Sequence, residues 1–125
     1  MNIVLDNSYT ELRLEKGIMH STFKPDLVIN VKIAKALVKE RLRVSNEKDQ
    51  LLLFDISNLV SVDLEALQYL STEEAIKHIK AGAIYSRNPI SQFAGKLFID
   101  TNRPKPPAKL FDDKVEAIEW LNQFK

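Results

Sequence analysis

Apolar and polar positions alternate early in the chain and take up helical spacing later. Between Tyr9 and Phe23, Leu12, Leu14 and Ile18 sit on two-residue spacings with His20 and Thr22, and Glu15-Lys16-Gly17 interrupts the run. This predicts a hairpin with strands near 9–15 and 18–24. Gly17 supplies the positive φ that such a turn usually needs. Pro25 ends the second strand, and Asp26 suits the N-cap of a long helix over 27–46. On that helix Leu27, Val31, Ala34, Val38 and Leu42 share a face, with Ile33, Leu37 and Val44 beside it. Lys32, Lys35, Lys39 and Arg43 share another face, which reads as a solvated surface before it reads as a phosphate or membrane site.

Leu51 to Phe54 is continuously apolar, so a strand over 50–56 is expected to be covered on both faces. A helix follows Asp63, with Leu64, Leu67 and Leu70 on its apolar side. Ser71 and Glu74 have capping-box spacing, which predicts a break and a second helical piece through about Ile79. Ala81–Ser86 reads as a strand of small residues. Asn88 and Pro89 open a helix as cap and first residue. In it Ile90, Phe93, Ala94, Leu97 and Phe98 follow i, i+3, i+4, i+7, i+8 spacing. That stripe has two readings: core against the sheet, or a face for an apolar ligand or a second copy, carried by Ile90, Phe93, Leu97 and Phe98. Gly95 costs the helix about 1 kcal/mol against Ala; it either lets another backbone come close or is simply tolerated.

Thr101 to Pro107 is expected to lack regular structure because of its prolines. Ala108–Phe111 is a last short strand. Asp112-Asp113, with Glu116, cap a final helix whose apolar face is Val115, Ile118, Leu121 and Phe124, widened by Ala117 and Trp120. The order predicts an α/β sandwich: a mixed five-stranded sheet, N-terminal hairpin plus parallel strands, with about four helices on right-handed crossovers.

At 125 residues the expectation is a single domain over 1–125. It is large enough to hold a core without staples, consistent with the absence of cysteine. A formal net charge of +1 builds no global field for nucleic acid or an anionic membrane. No apolar run approaches the roughly 18 residues of a membrane span, and the first residues do not have the form of a secretory signal. A cytoplasmic location is expected. Catalytic constellations are thin. The only histidines, His20 and His78, have no metal-ligand partner at motif spacing, and the three glycines are isolated. Glu73 and Glu74 are adjacent, so on a helix they diverge by about 100°. No catalytic residue, metal or cofactor is assigned, and a non-enzymatic role is expected.

Asp55-Ile56-Ser57, a short apolar stretch, Asp63 at a helix start and Leu67 four residues on resemble the switch segment of STAS domains, the SpoIIAA-like anti-sigma-factor antagonists. Asn88-Pro89-Ile90-Ser91, the apolar helix Phe93–Ile99, the Pro-rich link, Lys109-Leu110-Phe111 and Ala117–Leu121 are similar to an uncharacterised bacterial subgroup of that family. The resemblance covers most of 50–125. It implies a SpoIIAA-like fold and a regulatory module that binds an unidentified protein through Asn58, Ser61, Asp63, Leu64, Glu65 and Leu67. In the family a phosphorylated serine stands at the helix start. Here Leu64 and Glu65 occupy the hydroxyl positions and Ala66 the usual glycine. Glu65 then either mimics the phosphorylated state permanently or is an ordinary first-turn carboxylate. Ser57, Ser61, Ser71 and Thr72 are nearby hydroxyls, the last two placed to cap a helix. The architecture is also similar to that of CRAL-TRIO lipid-binding domains. This implies a second reading, a carrier of a lipid or other apolar small molecule, with the Pro-rich segment as its gate.

Overall fold

The computed structural model describes residues 3–102 and 105–125, Thr101 and Asn102 by their backbone alone. The hairpin forms where the alternation places it. Strand β2 (Thr10–Glu15) pairs antiparallel with β3 (Ile18–Phe23), from Thr10↔Phe23 to Glu15↔Ile18. Lys16 and Gly17 both take positive φ (49° and 80°), the two-residue turn whose twist matches the strands. A further strand, β1 (Ile3–Asp6), adds antiparallel to β2 with an irregularity between Ile3 and Leu5.

The other side of β3 pairs parallel with β5 (Gln50–Asp55), then β7 (Ile79–Tyr85), then β8 (Ala108–Phe111). The sheet order is β1-β2-β3-β5-β7-β8. The α/β class, the mixed sheet and the antiparallel start are as expected; the sheet has six strands, not five, because β1 was not foreseen. Leu52 and Leu53 lie on opposite faces and both are fully buried, as a continuously apolar central strand requires.

The predicted helix over 27–46 is shorter. Leu27–Ile29 forms a strand, β4, with Leu27 and Ile29 inward and Val28 outward. It pairs parallel with β6 (Leu59–Val62) in a separate two-stranded sheet. Helix α1 (Val31–Ser45) starts after Asn30, whose Oδ1 accepts from the Ile33 amide at 2.8 Å. Asp26 is not its cap: its φ is 60°, whereas an N-cap residue is extended. The period of two over Leu-Val-Ile outweighed the helical spacing there.

Asp63 caps helix α2 (Leu64–Leu70) as expected, its Oδ1 accepting from the Ala66 amide at 2.9 Å. The next helix, α3 (Glu73–Ile76), is capped by Thr72 rather than Ser71, whose hydroxyl donates back to the Gln68 carbonyl. It stops at Ile76, because His78 turns into the left-handed region (φ 62°) and Ile79 opens β7. Helix α4 (Pro89–Asn102) runs into the stretch expected to be irregular, while Lys105–Pro107 is irregular as expected. Arg103 and Pro104 of that stretch lie outside the described residues. Helix α5 (Lys114–Asn122) is capped by Asp113.

Helix α5 covers one sheet face. Ala117 and Leu121, with Ile118, Trp120 and Phe124, pack on Ile18, Leu51, Leu53, Ala81, Ala83, Tyr85 and Phe111. Val115, expected in that buried face, is exposed. Helices α1, α2 and α4 cover the other face around Phe23, Ile56, Leu59 and Ile84. Among the described residues no helix is long and apolar enough to cross a membrane.

Candidate functional site

The Asp-x-Ser motif ends β5 and fastens the start of α4. Asp55 Oδ1 accepts from the Ser57 amide at 3.0 Å, and Ser57 Oγ accepts from the Arg87 amide at 3.2 Å. Asn88 Nδ2 donates to the Ser57 carbonyl, while its Oδ1 accepts from the Ile90 amide at 2.9 Å. Beneath them Ser86 and Ser91, both fully buried, bond to each other through their hydroxyls. Gln92 Nε2 donates to the Ser86 carbonyl at 2.8 Å. These bonds fix the rotation of α4 about its axis.

That rotation puts Ser91, Gly95, Phe98 and Ile99 inward, and Ile90, Phe93 and Leu97 outward. A Cβ on Gly95 would stand 3.1 Å from Ile56 Cδ1, 3.1 Å from Leu110 Cδ1 and 3.2 Å from Ile84 Cγ2. The small residues therefore bring the helix close to the sheet. Ile90 is 70% exposed, Phe93 69% and Leu97 45%. On a helix these three span about 60° of arc. The core reading of the stripe is thus corrected for these three; Phe98 is the member that turns inward. The signal that separates the faces was Gly95, the one residue in the helix that a close approach explains.

Helix α4 packs beside β6 and α2, so the expected partner surface adjoins this exposed face. Asn58, Ser61, Asp63 and Glu65 are exposed, and Leu64 is 64% exposed. Asn58 Nδ2 donates to the Phe23 carbonyl at 3.3 Å. Glu65 sits in the first turn of α2. Leu67 departs from the expectation: it is buried and faces the interior, three residues beyond the outward Leu64.

Under α4 lies a cavity of about 170 Å³. Leu12, Phe23, Phe54 and Ile84 form its sheet side, Leu37, Leu67 and Phe98 part of its helix side, with Pro106 and Pro107 before β8. Among the described residues Arg41 is its one charged lining residue. It occupies the buried register of α1, in line with Ala34, Val38 and Ser45, and is 5% exposed. Its Nη1 donates to the Lys77 carbonyl at 2.9 Å and its Nη2 to the Ala75 carbonyl at 2.7 Å. Among the described residues no carboxylate forms an ion pair with it. Burial lowers its pKa to about 10, so it stays protonated at neutral pH. Sequence reasoning passed over Arg41; the signal was a charge on an otherwise apolar register.

The stripe Lys32, Lys35, Lys39 and Arg43 is exposed, Lys35 reaching over the Tyr69 ring. His20 is buried 3.7 Å from Glu15, and burial pulls its pKa below the usual value despite that carboxylate. His78 Nδ1 lies 3.0 Å from Asp49 Oδ1. Among the described residues no group of three His, Cys, Asp or Glu side chains could hold a metal ion.

Residues 12–125 match the domain of unknown function DUF7793. The chain belongs to this family. The DUF7793 chain is also similar to the crystal structure of an uncharacterized DUF3478-family protein with a SpoIIAA-like fold from Shewanella loihica PV-4. The TM-score is 0.62 at 16% identity, over 94% of this chain and 98% of that one. At that identity the likeness carries the fold alone: the DUF7793 chain has a SpoIIAA-like fold. No curated protein matches it.

Proposed function

We propose that this DUF7793 chain is a non-enzymatic regulatory module that binds another protein through the outer face of α4 and the adjoining start of α2. The observation that carries this is the rotation of α4. Its large apolar residues Ile90, Phe93 and Leu97 face solvent, while Ser91 and Gly95 make the inner contact. Exposed apolar side chains gathered on one rigid face mark interaction surfaces, and an exposed aromatic is a common anchor in them. Leu64, also exposed, and the acidic Glu65 stand at the start of the neighbouring helix α2.

The test places a photo-crosslinking amino acid at position 93 in cells, with the same probe at Lys39 on the exposed face of α1. One discrete heterologous adduct at 93, absent at 39 and lost on Ile90→Asp, supports the reading. A self-adduct at 93, with a sedimentation mass that doubles with concentration, would replace it with a homodimer. No adduct at 93 beyond that at 39 refutes it.

The cavity favours a second reading, a carrier of an apolar small molecule. A partly open cavity of about 170 Å³ with a largely apolar lining gives an apolar ligand surface to bury, at about 0.8 kcal/mol per buried CH₂. Native mass spectrometry of protein from its own cells tests this: a retained small-molecule mass supports the carrier, and a bare mass counts against it.

A further inference from the structure

Arg41 is hard to explain as a stabilising residue alone. Burying a cation is costly unless an anion or several hydrogen bonds compensate it. A guanidinium has five N–H donors, and two hydrogen bonds, to Ala75 and Lys77, are formed here. Those carbonyls end α3 and offer partial negative charge, but no ion. The two buried hydroxyls in the cavity wall are already engaged: Thr10 Oγ1 pairs with Ser21 Oγ at 3.1 Å and also bonds to the Thr22 carbonyl. Among the described residues the cavity lining therefore carries one cation, Arg41, with no carboxylate paired to it, beside two engaged hydroxyls and otherwise apolar side chains.

We propose that this cavity takes a carboxylic acid with an apolar tail, the carboxylate received by Arg41 and the tail laid along the sheet. The inference rests on the carrier reading and names its ligand class. A single cation among the described lining residues fits a monoanion; a phosphate monoester would bring a second negative charge with no second described cation to meet it. Guanidinium geometry suits the planar, two-oxygen head. The walls define the tail. Leu12, Phe23, Phe54, Ile84 and Ala108 come from β2, β3, β5, β7 and β8, so the cavity runs across five strands. Four inter-strand spacings amount to about 19 Å. The volume is near that of the ~150 Å³ cavity known to hold benzene. That volume suits a medium-chain acid rather than a large fused-ring system.

The experiment titrates the full chain with sodium octanoate, 1-octanol and octylamine by calorimetry, with amide NMR shifts to locate binding. Octanoate is expected to bind at least tenfold tighter than octanol, with octylamine weaker than both. Its shifts should centre on Ala75, Lys77, Gly82 and Gly95. Arg41→Gln should weaken octanoate at least tenfold and leave octanol within about twofold. Equal affinity for octanoate and octanol, with shifts in the cavity, overturns the role of Arg41 and leaves the carrier reading standing. Absence of cavity shifts with all three probes overturns both. Shifts centred on Ile90, Phe93 and Leu97 likewise overturn the proposal. If Arg41→Gln fails to fold, the comparison of head groups on the unaltered chain decides alone.

Discussion

Truncating two phenylalanines of α4 to alanine, one at a time, tests the orientation on which the protein-binding reading depends. Phe93 is 69% exposed, so about a third of its surface is buried. Full burial of such a side chain contributes about 1.5–3 kcal/mol, and a third of that is about 0.5–1 kcal/mol. Phe93→Ala should therefore cost no more than about 1 kcal/mol. Phe98 packs against the cluster around Phe23, Ile56 and Ile84. A core Phe→Ala costs about 3–5 kcal/mol; Phe98 is half-buried beside a cavity, so about 2–3 kcal/mol is expected. Leu121→Ala, at a fully buried position, provides the scale at about 2–5 kcal/mol. The assay is urea unfolding followed by far-ultraviolet circular dichroism, comparing midpoints at constant slope. The reverse order, with Phe93→Ala above 3 kcal/mol and Phe98→Ala below 1 kcal/mol, would mean that α4 is rolled by about 140° about its axis. The outer apolar face would then not exist, and the proposed docking surface would fall with it.

Gly95→Val should destabilise by about 1–3 kcal/mol through overpacking against Ile56, Ile84 and Leu110, read as a lowered thermal midpoint; an unchanged midpoint would show that α4 has room to retreat. Asp63→Ala should cost about 1 kcal/mol by removing the cap on the Ala66 amide, whereas Glu65→Ser should stay within about 0.5 kcal/mol, both by urea midpoint. The pKa of His20 is lowered in the folded chain by burial, so between that value and the ordinary 6.5 the unfolded chain binds more protons. Its contribution is thus full above pH 6.5 and lost as pH falls through the folded value. Stability should drop on acidification below pH 6.5, and His20→Gln should flatten that slope in unfolding curves taken at several pH values. The slope remaining unaltered in the variant would exclude His20 as its source.

What the sequence displayed was the part written in period and punctuation. Lys16-Gly17, the apolar run Leu51–Phe54, and the caps at Asp63, Asn88 and Asp113 each impose a local geometry that tertiary packing respected. Three features escaped for one reason: in each, two local rules competed and a contact outside the local pattern chose between them. Leu27–Ile29 satisfies helical and strand spacing alike, and pairing with Leu59–Val62 decided for strand. Ser71 and Thr72 both suit a cap and both donate a hydroxyl to the last turn of α2, but Thr72 Oγ1 also accepts from the Ala75 amide of α3. In α4 the most apolar stripe and the closest-packing stripe are different faces, and the contact of Gly95 with the sheet chose the second. The candidate sites followed the same division. The resemblance to the STAS switch segment put Asn58, Ser61, Asp63, Leu64, Glu65 and Leu67 at a surface; all but the buried Leu67 are exposed, Leu64 among them although helical spacing had set it on the apolar side. The cavity could not be placed from the sequence, since it depends on seven strands and four helices meeting around one volume.

The sheet order also sets a timetable for folding. β2 and β3 are joined by two residues and can pair at the microsecond speed of a hairpin. Every pairing beyond β3 is parallel and waits for a helical crossover to be laid down, as in Ile18 with Leu51 or Leu52 with Gly82. Pulse-labelled hydrogen exchange should find the amides of β2 and β3 protected before those of β5 and β7. Until its neighbours arrive, the segment Leu51–Phe54 is an unpaired strand of four large apolar residues, and this central element is where a slowly folding chain is most exposed to aggregation.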